Sequence, residues 1–356
     1  MTSEELKDFI LLYRNLIWRE QLDIYEGEAL RIIQFAIANA ERTIIGAIQE
    51  IGAGASEWSV ASSIALLDEL KYLTVGIQGI LVSDIAAIAS QAGAASYLTH
   101  NAIVSFDGMI SPFNPVILSA AQLRNIIREV PVKGYSLQEW IARTFDSTMI
   151  SGIKTEIATG QFLGESYSEL LSRIAAGFGI VQRNTKSLAS TYIQEVNVGA
   201  MEDIYKANMK IVKGVKWVSV MEVGKGKGRG TCLRCAALDG QQFIWGEKRP
   251  PCPQHFNCRC SLVPQMLTWR ELGVNSDEVD RLYRPWVNNI DTGFRQGNFA
   301  TWFSQMPEAD QLAIVGSGRL GLLQSGAISF QDLADRATGK LRLLDKNLSG
   351  RIVGLR

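Results

Sequence analysis

All five cysteines of this 356-residue chain fall between Cys232 and Cys260, and His255, one of only two histidines, lies among them. The order is Cys232-x-x-Cys235, a gap of sixteen residues, and then Cys252-x-x-His255-x-x-Cys258-x-Cys260. Two residues between paired thiols allow a tight turn to direct both sulfurs at one point, and a second pair of donors completes a tetrahedral site. The spacing therefore predicts a metal site, and the mixture of thiolates with an imidazole favours Zn²⁺.

Six donors exceed the four that a tetrahedral ion needs, so the pattern leaves one ligand open. Cys232 and Cys235 form the first pair. His255 and Cys258 are three residues apart, a spacing that a turn brings to one side, whereas Cys258 and Cys260 share one face of an extended strand. The candidate ligands are Cys232, Cys235, His255, Cys258 and Cys260, and the choice of the fourth stays open.

Cys252 ranks last among the donors, because the prolines on both sides of it give a stiff, extended run that holds it away from the metal. Disulfides are the alternative for these thiols, but five is an odd number and the opening MTSEELKDF carries charge where an apolar signal segment would begin. The nearby acids are Asp239 and Glu247, and thiolate-rich sites are closed. A structural rather than a catalytic ion is therefore predicted.

The residues around these donors form a longer pattern than the donors alone. It consists of Cys232-x-x-Cys235, Leu238-Asp239-Gly240, Phe243, Pro250-Pro251, His255-x-Asn257-Cys258-Arg259-Cys260 and Pro264. This pattern resembles the phage Mu F-protein-like minor head (head morphogenesis) family. The similarity extends over about residues 145–345, with helices before the first cysteine, a strand around Trp217, and a tail from Phe299 to Leu333.

The resemblance implies a small zinc-stapled α+β module followed by a helical C-terminal tail, and helix start signals and apolar periodicity predict a helical N-terminal part before them, so a mainly α protein is expected. The expected divisions are a helical N-terminal domain over 1–134, a head morphogenesis domain with the zinc module over 135–266, and a helical tail over 267–356. The implied function is that of a minor capsid protein without enzymatic activity, near the portal or inside the head, in DNA packaging or ejection. Its expected partners are the portal protein, the major capsid protein or both, in the virion and, during assembly, in the host cytoplasm.

Start and stop signals outside the cysteine segment predict long helices. Thr2-x-x-Glu5 and Ser136-x-x-Glu139 are capping boxes. Helices are expected over about Glu26–Ile51 and Glu57–Leu73, and Gly52-Ala-Gly54 separates them. Shorter helices are predicted over Thr268–Leu272, Ser276–Tyr283 and Phe299–Ser304, and a third capping box over Ser166–Glu169.

Two further patterns concern a possible membrane span and a hairpin. The uncharged stretch Ile85–Phe106 is rich in small and polar residues where a bilayer helix would carry leucines, so a packed helix and no membrane contact are predicted.

Asp239-Gly240 lies between Ala236–Leu238 and Gln241–Trp245, which predicts a turn between two short strands. His100 lies on the small-residue helix and is assigned no role.

Charge limits the nucleic acid contacts that the chain can make. Lys plus Arg and Asp plus Glu each number 36, so the formal net charge is zero, which argues against a protein that coats DNA. A local DNA contact is expected through Lys225, Lys227 and Arg229, which alternate with glycines. A solvated hairpin tip is the competing and commoner role of such a run.

Two other functions stay open beside the structural one. An enzyme or toxin-like effector, a nuclease or a transferase, attached to the cysteine module is the main alternative, but two histidines with one on the metal leave no set of catalytic groups that the sequence identifies. A zinc-dependent DNA-binding regulator would need a basic helix beside the cysteines, where Leu233–Leu238 offers only Arg234.

Overall fold

The computed structural model describes residues 2–53, 60–108, 131–163, 167–221, 230–275, 298–344 and 352–355, together with residues 277, 279 and 281. The α-helices of the described chain are α1 Ser3–Ala53, α2 Val60–Gly108, α3 Leu137–Arg143, α4 Ser151–Leu163, α5 Tyr167–Ala207, α6 Leu233–Leu238, α7 Phe299–Ser304, α8 Glu308–Val315 and α9 Ser317–Gln324. A π-helical segment Thr144–Ile150 joins α3 to α4, and a 3₁₀ turn covers Phe330–Leu333. The strands are β1 Val212–Val218, β2 Gln242–Ile244, β3 Ser261–Met266, β4 Arg342–Leu344 and β5 Ile352–Leu355. The prediction of a mainly α fold is confirmed.

The helix starts agree with the predicted capping boxes. Thr2 Oγ1 accepts a hydrogen bond from Glu5 N at 3.2 Å, and Glu5 Oε2 accepts one from Thr2 N at 2.7 Å. The same reciprocal pair joins Ser136 and Glu139 at the start of α3. Ser166 lies outside the described residues, so the third box stays a prediction. Local hydrogen bonding is thus enough to set these helix ends.

The long helices extend further than predicted. Helix α1 ends at Ala53, inside the predicted break at Gly52-Ala-Gly54. The predicted end at Leu73 is wrong, because α2 continues through it to Gly108. Helix α2 contains no proline, and an isolated glycine costs a helix only about 1 kcal/mol. The residues after Leu73 therefore do not end the helix.

By length and composition alone, Leu70–Val104 of α2 would be able to cross a membrane. Only 28% of its most apolar window is buried. The core helix of a soluble protein meets the same criterion, so the expectation that the chain makes no membrane contact stays a prediction.

The main sheet has three strands in the order β2-β1-β3, and both pairs are antiparallel. The predicted strand around Trp217 is confirmed as β1, with Trp217 fully buried. The register of β1 and β3 shifts between Val212 and Gly214, and a side chain at Gly214 would have its Cβ 2.1 Å from the carbonyl oxygen of Phe243. The close approach of β2 therefore requires glycine at this position.

The first half of the predicted hairpin is wrong, because Ala236–Leu238 belongs to helix α6 rather than to a strand. Cys232 caps this helix, and its carbonyl accepts a hydrogen bond from Ala236 N at 2.9 Å. The turn at Gly240 is present with a φ of 76°, and β2 provides the second predicted strand. A three-residue apolar run cannot distinguish a strand from a short helix, and the cap decides it here.

The segment Thr268–Leu272 forms turns rather than the predicted helix. Glu271 accepts hydrogen bonds from the backbone N and the hydroxyl of Thr268 at 2.7 and 2.9 Å, which closes a single turn. The predicted helix Phe299–Ser304 is confirmed as α7. Most of Ser276–Tyr283 lies outside the described residues.

The tail helices pack on the short helix that follows the first cysteine. Ala236 and Ala237 of α6 share a buried cluster with residues of the tail. Its tail members are Phe299, Phe303, Val315, Leu320, Ile328, Phe330, Leu333 and Ala334. The aromatic rings of Phe299 and Phe303 both contact Phe330, with centroids 5.2 and 4.9 Å apart. The C-terminal part thus has a core of its own that includes α6.

The start of α1 holds the strand that follows the last cysteine. Lys7 Nζ donates to the carbonyl of Leu267 at 2.7 Å and lies 4.4 Å from the centre of the Trp269 ring. Two turns later, Asn15 Nδ2 donates to the carbonyl of Leu262 at 3.2 Å. Both donors are buried, so these bonds fix the position of β3.

The chain forms two compact units, each assembled from separate segments. The first consists of residues 1–20, 96–120 and 200–356, and the second of residues 21–95 and 121–199. The first contains the sheet, the cysteines and the tail. The domain boundaries predicted after residues 134 and 266 stay predictions.

Candidate metal centre

The first pair of cysteines lies at the start of α6. Cys232 is the N-cap of the helix, and its Sγ accepts a hydrogen bond from Cys235 N at 3.5 Å. A cap and the third helical residue after it lie on the same side of the first turn. Cys235 is buried and Cys232 is half-buried, so the pair faces inward from the end of the helix.

The second pair comes from a turn after the proline-rich run. Cys258 N donates to the carbonyl of His255 at 3.0 Å, and Asn257 has a φ of 58°, a left-handed conformation that asparagine tolerates well. His255 Nδ1 donates to the carbonyl of Phe256 at 2.8 Å. That bond leaves Nε2 as the ring nitrogen that can bind a metal, which is the arrangement typical of metal-bound histidines.

The two pairs converge around Cys235. His255 Nε2 lies 3.0 Å from Cys232 Sγ and 3.7 Å from Cys235 Sγ, and Cys235 Sγ lies 3.7 Å from Cys258 Sγ. Tetrahedral zinc with Zn–S bonds of about 2.3 Å places neighbouring sulfurs about 3.8 Å apart. The sulfur spacing therefore fits one shared metal ion.

The donors form two overlapping triads that are able to hold a metal ion. They are Cys232 with Cys235 and His255, and Cys235 with Cys258 and Cys260. Within each triad the ligand atoms lie within 4.8 Å of one another. All five predicted ligands are thus brought together, and Cys235 belongs to both triads. Neither triad includes Cys252, whose Sγ donates to the carbonyl of Cys260 at 3.4 Å.

Hydrogen bonds within the cluster favour charged forms of two thiols and the imidazole. The hydrogen bond with Cys235 lowers the pKa of Cys232 to about 5. Hydrogen bonds with Cys235 and Cys260 lower the pKa of Cys258. The bond to Cys232 in turn raises the pKa of His255 to about 9. The cluster therefore supplies thiolates, the form of cysteine that binds metals, at Cys232 and Cys258. The hydrogen bond with Cys232 raises the pKa of Cys235, so a metal would replace the protons on Cys235 and His255.

The two acids near the cysteines are engaged elsewhere. Asp239 accepts hydrogen bonds at Oδ1 from Ser219 N and Ser219 Oγ, both at 2.8 Å, and at Oδ2 from Phe299 N at 2.7 Å. Glu247 pairs with Arg336 at 2.9 Å. Sequence reasoning placed Asp239 only in a turn and missed that its buried carboxylate joins three segments. The sequence signal for this linking role is an acid directly after a short capped helix.

Lys225, Lys227 and Arg229 lie outside the described residues, so the expected DNA contact remains a prediction. No protein-family model, curated protein or solved structure matches this chain.

Proposed function

We propose that this cluster binds one structural Zn²⁺ through Cys232, Cys235, His255 and Cys258. The observation that carries the proposal is the 3.7 Å separation of the Cys235 and Cys258 sulfurs, which come from two turns 23 residues apart in sequence. His255 supports it, since the hydrogen bond of its Nδ1 orients the opposite nitrogen towards the first pair. Cys258 is preferred to Cys260 as the fourth ligand because it completes the same turn as His255.

A structural role fits the donor set better than a catalytic one. Three thiolates and one imidazole fill a tetrahedral ion and leave no position for water. The nearby acids are engaged with other groups: Asp239 accepts a hydrogen bond from Phe299 N, and Glu247 pairs with Arg336. Metal binding in such small sites stabilises the fold itself. We therefore propose that the ion has a structural role and that the chain has no enzymatic activity.

We further propose that the chain is a minor capsid protein that acts in phage head morphogenesis, near the portal or inside the head. Support comes from the pattern Leu238-Asp239-Gly240 with Asn257-Cys258-Arg259-Cys260, which resembles the Mu F-like minor head family. Portal or major capsid protein, and DNA during packaging or ejection, would be its partners in the virion.

Metal analysis tests the zinc site. The full chain, purified without added metal and measured by inductively coupled plasma mass spectrometry, should carry one zinc per chain. Cys235→Ser should lose it, whereas Cys252→Ser, which changes a buried thiol outside both triads, should keep it. Retention of full zinc by Cys235→Ser, or a wild-type chain without zinc, would refute the site.

The fourth ligand is tested by a matched pair of variants. Cys258→Ser should weaken zinc binding strongly in competition with a chromogenic chelator, and Cys260→Ser should weaken it much less. The reverse order would assign the fourth position to Cys260 while leaving the zinc site intact.

Mass spectrometry of purified phage particles tests the cellular role. The chain should be present in heads at a low copy number relative to the major capsid protein. Its absence from intact particles, or Mg²⁺-dependent DNA cleavage that His255→Ala abolishes, would contradict a structural head protein.

A further inference from the structure

The thiols of the cysteine cluster differ in how far solvent reaches them. Cys232 is half-buried, and its Sγ lies 3.0 Å from Nε2 of His255, which is half-buried as well. The other four thiols, those of Cys235, Cys252, Cys258 and Cys260, are buried. The reactivity of a thiol depends on its exposure, so a small reagent dissolved in water meets Cys232 before the other sulfurs.

The thiol that shares a triad with Cys232 is Cys235. The ligand atoms of this triad lie within 4.8 Å of one another, and Cys258 and Cys260 belong to the second triad instead. Cys235 N donates to Cys232 Sγ at 3.5 Å, so both residues lie on one turn at the start of α6. Two residues separate them, which is the C-x-x-C spacing of cysteines that close disulfides in redox proteins. An oxidised Cys232 therefore has a thiol partner on its own turn.

We propose that Cys232 is a site of oxidation by hydroperoxides, of which hydrogen peroxide is the simplest, and that Cys235 closes a disulfide with it. The proposal rests on the zinc site proposed above and adds how that site is lost. A disulfide contains no thiolate, the form of cysteine that binds metals. One reaction thus removes two of the four ligands, and the chain releases its zinc.

The reaction is a two-electron oxidation in two steps. The Cys232 thiolate attacks one oxygen of the peroxide, so that an S–O bond forms, the O–O bond breaks, and the departing hydroxide takes a proton from solvent. The Cys235 thiolate then attacks the sulfur of the resulting sulfenic acid, and the S–S bond forms as the S–O bond breaks. The second hydroxide also takes a proton from solvent. Two thiolates lose two electrons, and hydrogen peroxide is reduced to two waters.

A disulfide between Cys235 and Cys258 is the competing product. Their sulfurs are 3.7 Å apart, so the two residues are close enough to react if either is oxidised first. Both thiols are buried, however, and neither is the sulfur that a dissolved peroxide meets first. Exposure therefore favours the pair Cys232 and Cys235.

The position of the oxidised pair connects it to the tail. Cys232 is the N-cap of α6, and Ala236 and Ala237 of the same helix belong to the buried cluster of the tail. A reducing cytoplasm keeps thiols free, whereas thiols outside the cell meet oxidants. In the proposed head protein, zinc would thus be held during assembly and released in particles that are exposed to peroxide.

The test treats the full chain, loaded with zinc and freed of reductant, with hydrogen peroxide. A chromogenic chelator measures the released zinc, and mass spectrometry of tryptic peptides maps the disulfides. Trypsin cleaves after Arg234, between the two cysteines, so the expected disulfide joins two peptides. One zinc should be released for each disulfide between Cys232 and Cys235. At early times dimedone, which labels sulfenic acids, should mark Cys232.

Cys252→Ser is the matched control, because it removes a buried thiol outside both triads and should release zinc at the wild-type rate. Met209, which is 58% exposed, reports general oxidation, since its sulfoxide forms without a disulfide. A first disulfide between other cysteines would overturn the proposal, and so would zinc that stays bound after Cys232 and Cys235 are joined. Oxidation of Met209 while all five thiols stay reduced would overturn it as well.

The zinc content before peroxide is added tests the metal site separately. A reduced chain without zinc would refute that site, and the peptide map would still decide where the chain is oxidised. A reduced chain with zinc whose first disulfide lies elsewhere would keep the metal site and refute the oxidation site.

Discussion

The carboxylate of Asp239 accepts a hydrogen bond from the backbone N–H of Phe299, so the residue that ends the cysteine helix α6 also holds the start of α7. Its other oxygen accepts two hydrogen bonds from Ser219, just beyond β1. The first N–H groups of a helix have no partner within it, and a buried carboxylate is a strong acceptor for them. One side chain thereby joins the sheet, the cysteine module and the tail.

Asp239→Asn should lower the free energy of unfolding by about 1.5–3 kcal/mol, the usual range for a buried hydrogen bond to a charged group. The amide NH₂ would face either Ser219 N or Phe299 N, which places donor against donor. Urea unfolding measures the loss. Asp68→Asn is the control, since its pair with Lys71 is largely exposed and contributes little. Equal stability of the two variants would show that Asp239 is not a structural link.

Removal of the proposed zinc should loosen the tail as well as the cysteine turns. Helix α6 carries Cys235 on the metal side, while Ala236 and Ala237 form part of the tail's buried cluster. Addition of a chelator should therefore speed hydrogen exchange at amides of residues 299–334, as measured by mass spectrometry. Amides of α1 between Leu22 and Ile44 are the internal reference and should keep their rates. Unchanged exchange in the tail after complete zinc loss would contradict the coupling.

Acid should destabilise the fold through His100, which is fully buried with its Nδ1 2.8 Å from the Tyr205 hydroxyl. Burial lowers the pKa of His100 from 6.5 to about 3, so the unfolded chain binds a proton more readily. The stability from neutral His100 is complete above about pH 6.5 and is lost as the pH falls towards 3, by up to about 1.4 kcal/mol per unit. His100→Gln should flatten this slope in unfolding curves between pH 6.5 and 4.5. An unchanged slope would assign the acid sensitivity to other groups.

Gly214→Ala should cost at least about 2 kcal/mol, because the added Cβ would lie 2.1 Å from the Phe243 carbonyl oxygen and force β2 away from β1. Thermal unfolding should show the loss as a lower melting temperature. Gly27→Ala is the control, since nothing lies within 4 Å of its Cβ and alanine favours a helix interior. That variant should be neutral or slightly more stable.

The metal cluster was predictable because its geometry is largely local. Cys232 with Cys235, and His255 with Cys258, each lie within one turn, so spacing alone brings each pair together. The approach of one pair to the other depends on β2 and on the proline-rich run, which spacing does not describe. The choice between Cys258 and Cys260 stays open, since both lie in one triad with Cys235.

Other features depend on contacts that no local pattern contains. The bond from Phe299 to Asp239 spans 60 residues, and its acceptor occurs in a sequence typical of a simple turn. Helix α6 was predicted as a strand because its short apolar run matches both structures, and the cap from Cys232 selects the helix. The capping boxes at Thr2 and Ser136 were predictable, since both partners lie three residues apart.

The hydrogen bond from Lys7 to Leu267 joins residues that are 260 positions apart. During synthesis the first turns of α1 leave the ribosome long before the strand β3. The contacts between them therefore cannot form until most of the chain has been translated. Contacts of such long range form late and slowly. The contact between α1 and β3 therefore needs the chain as far as Leu267, and nascent chains that stop before this residue will lack it.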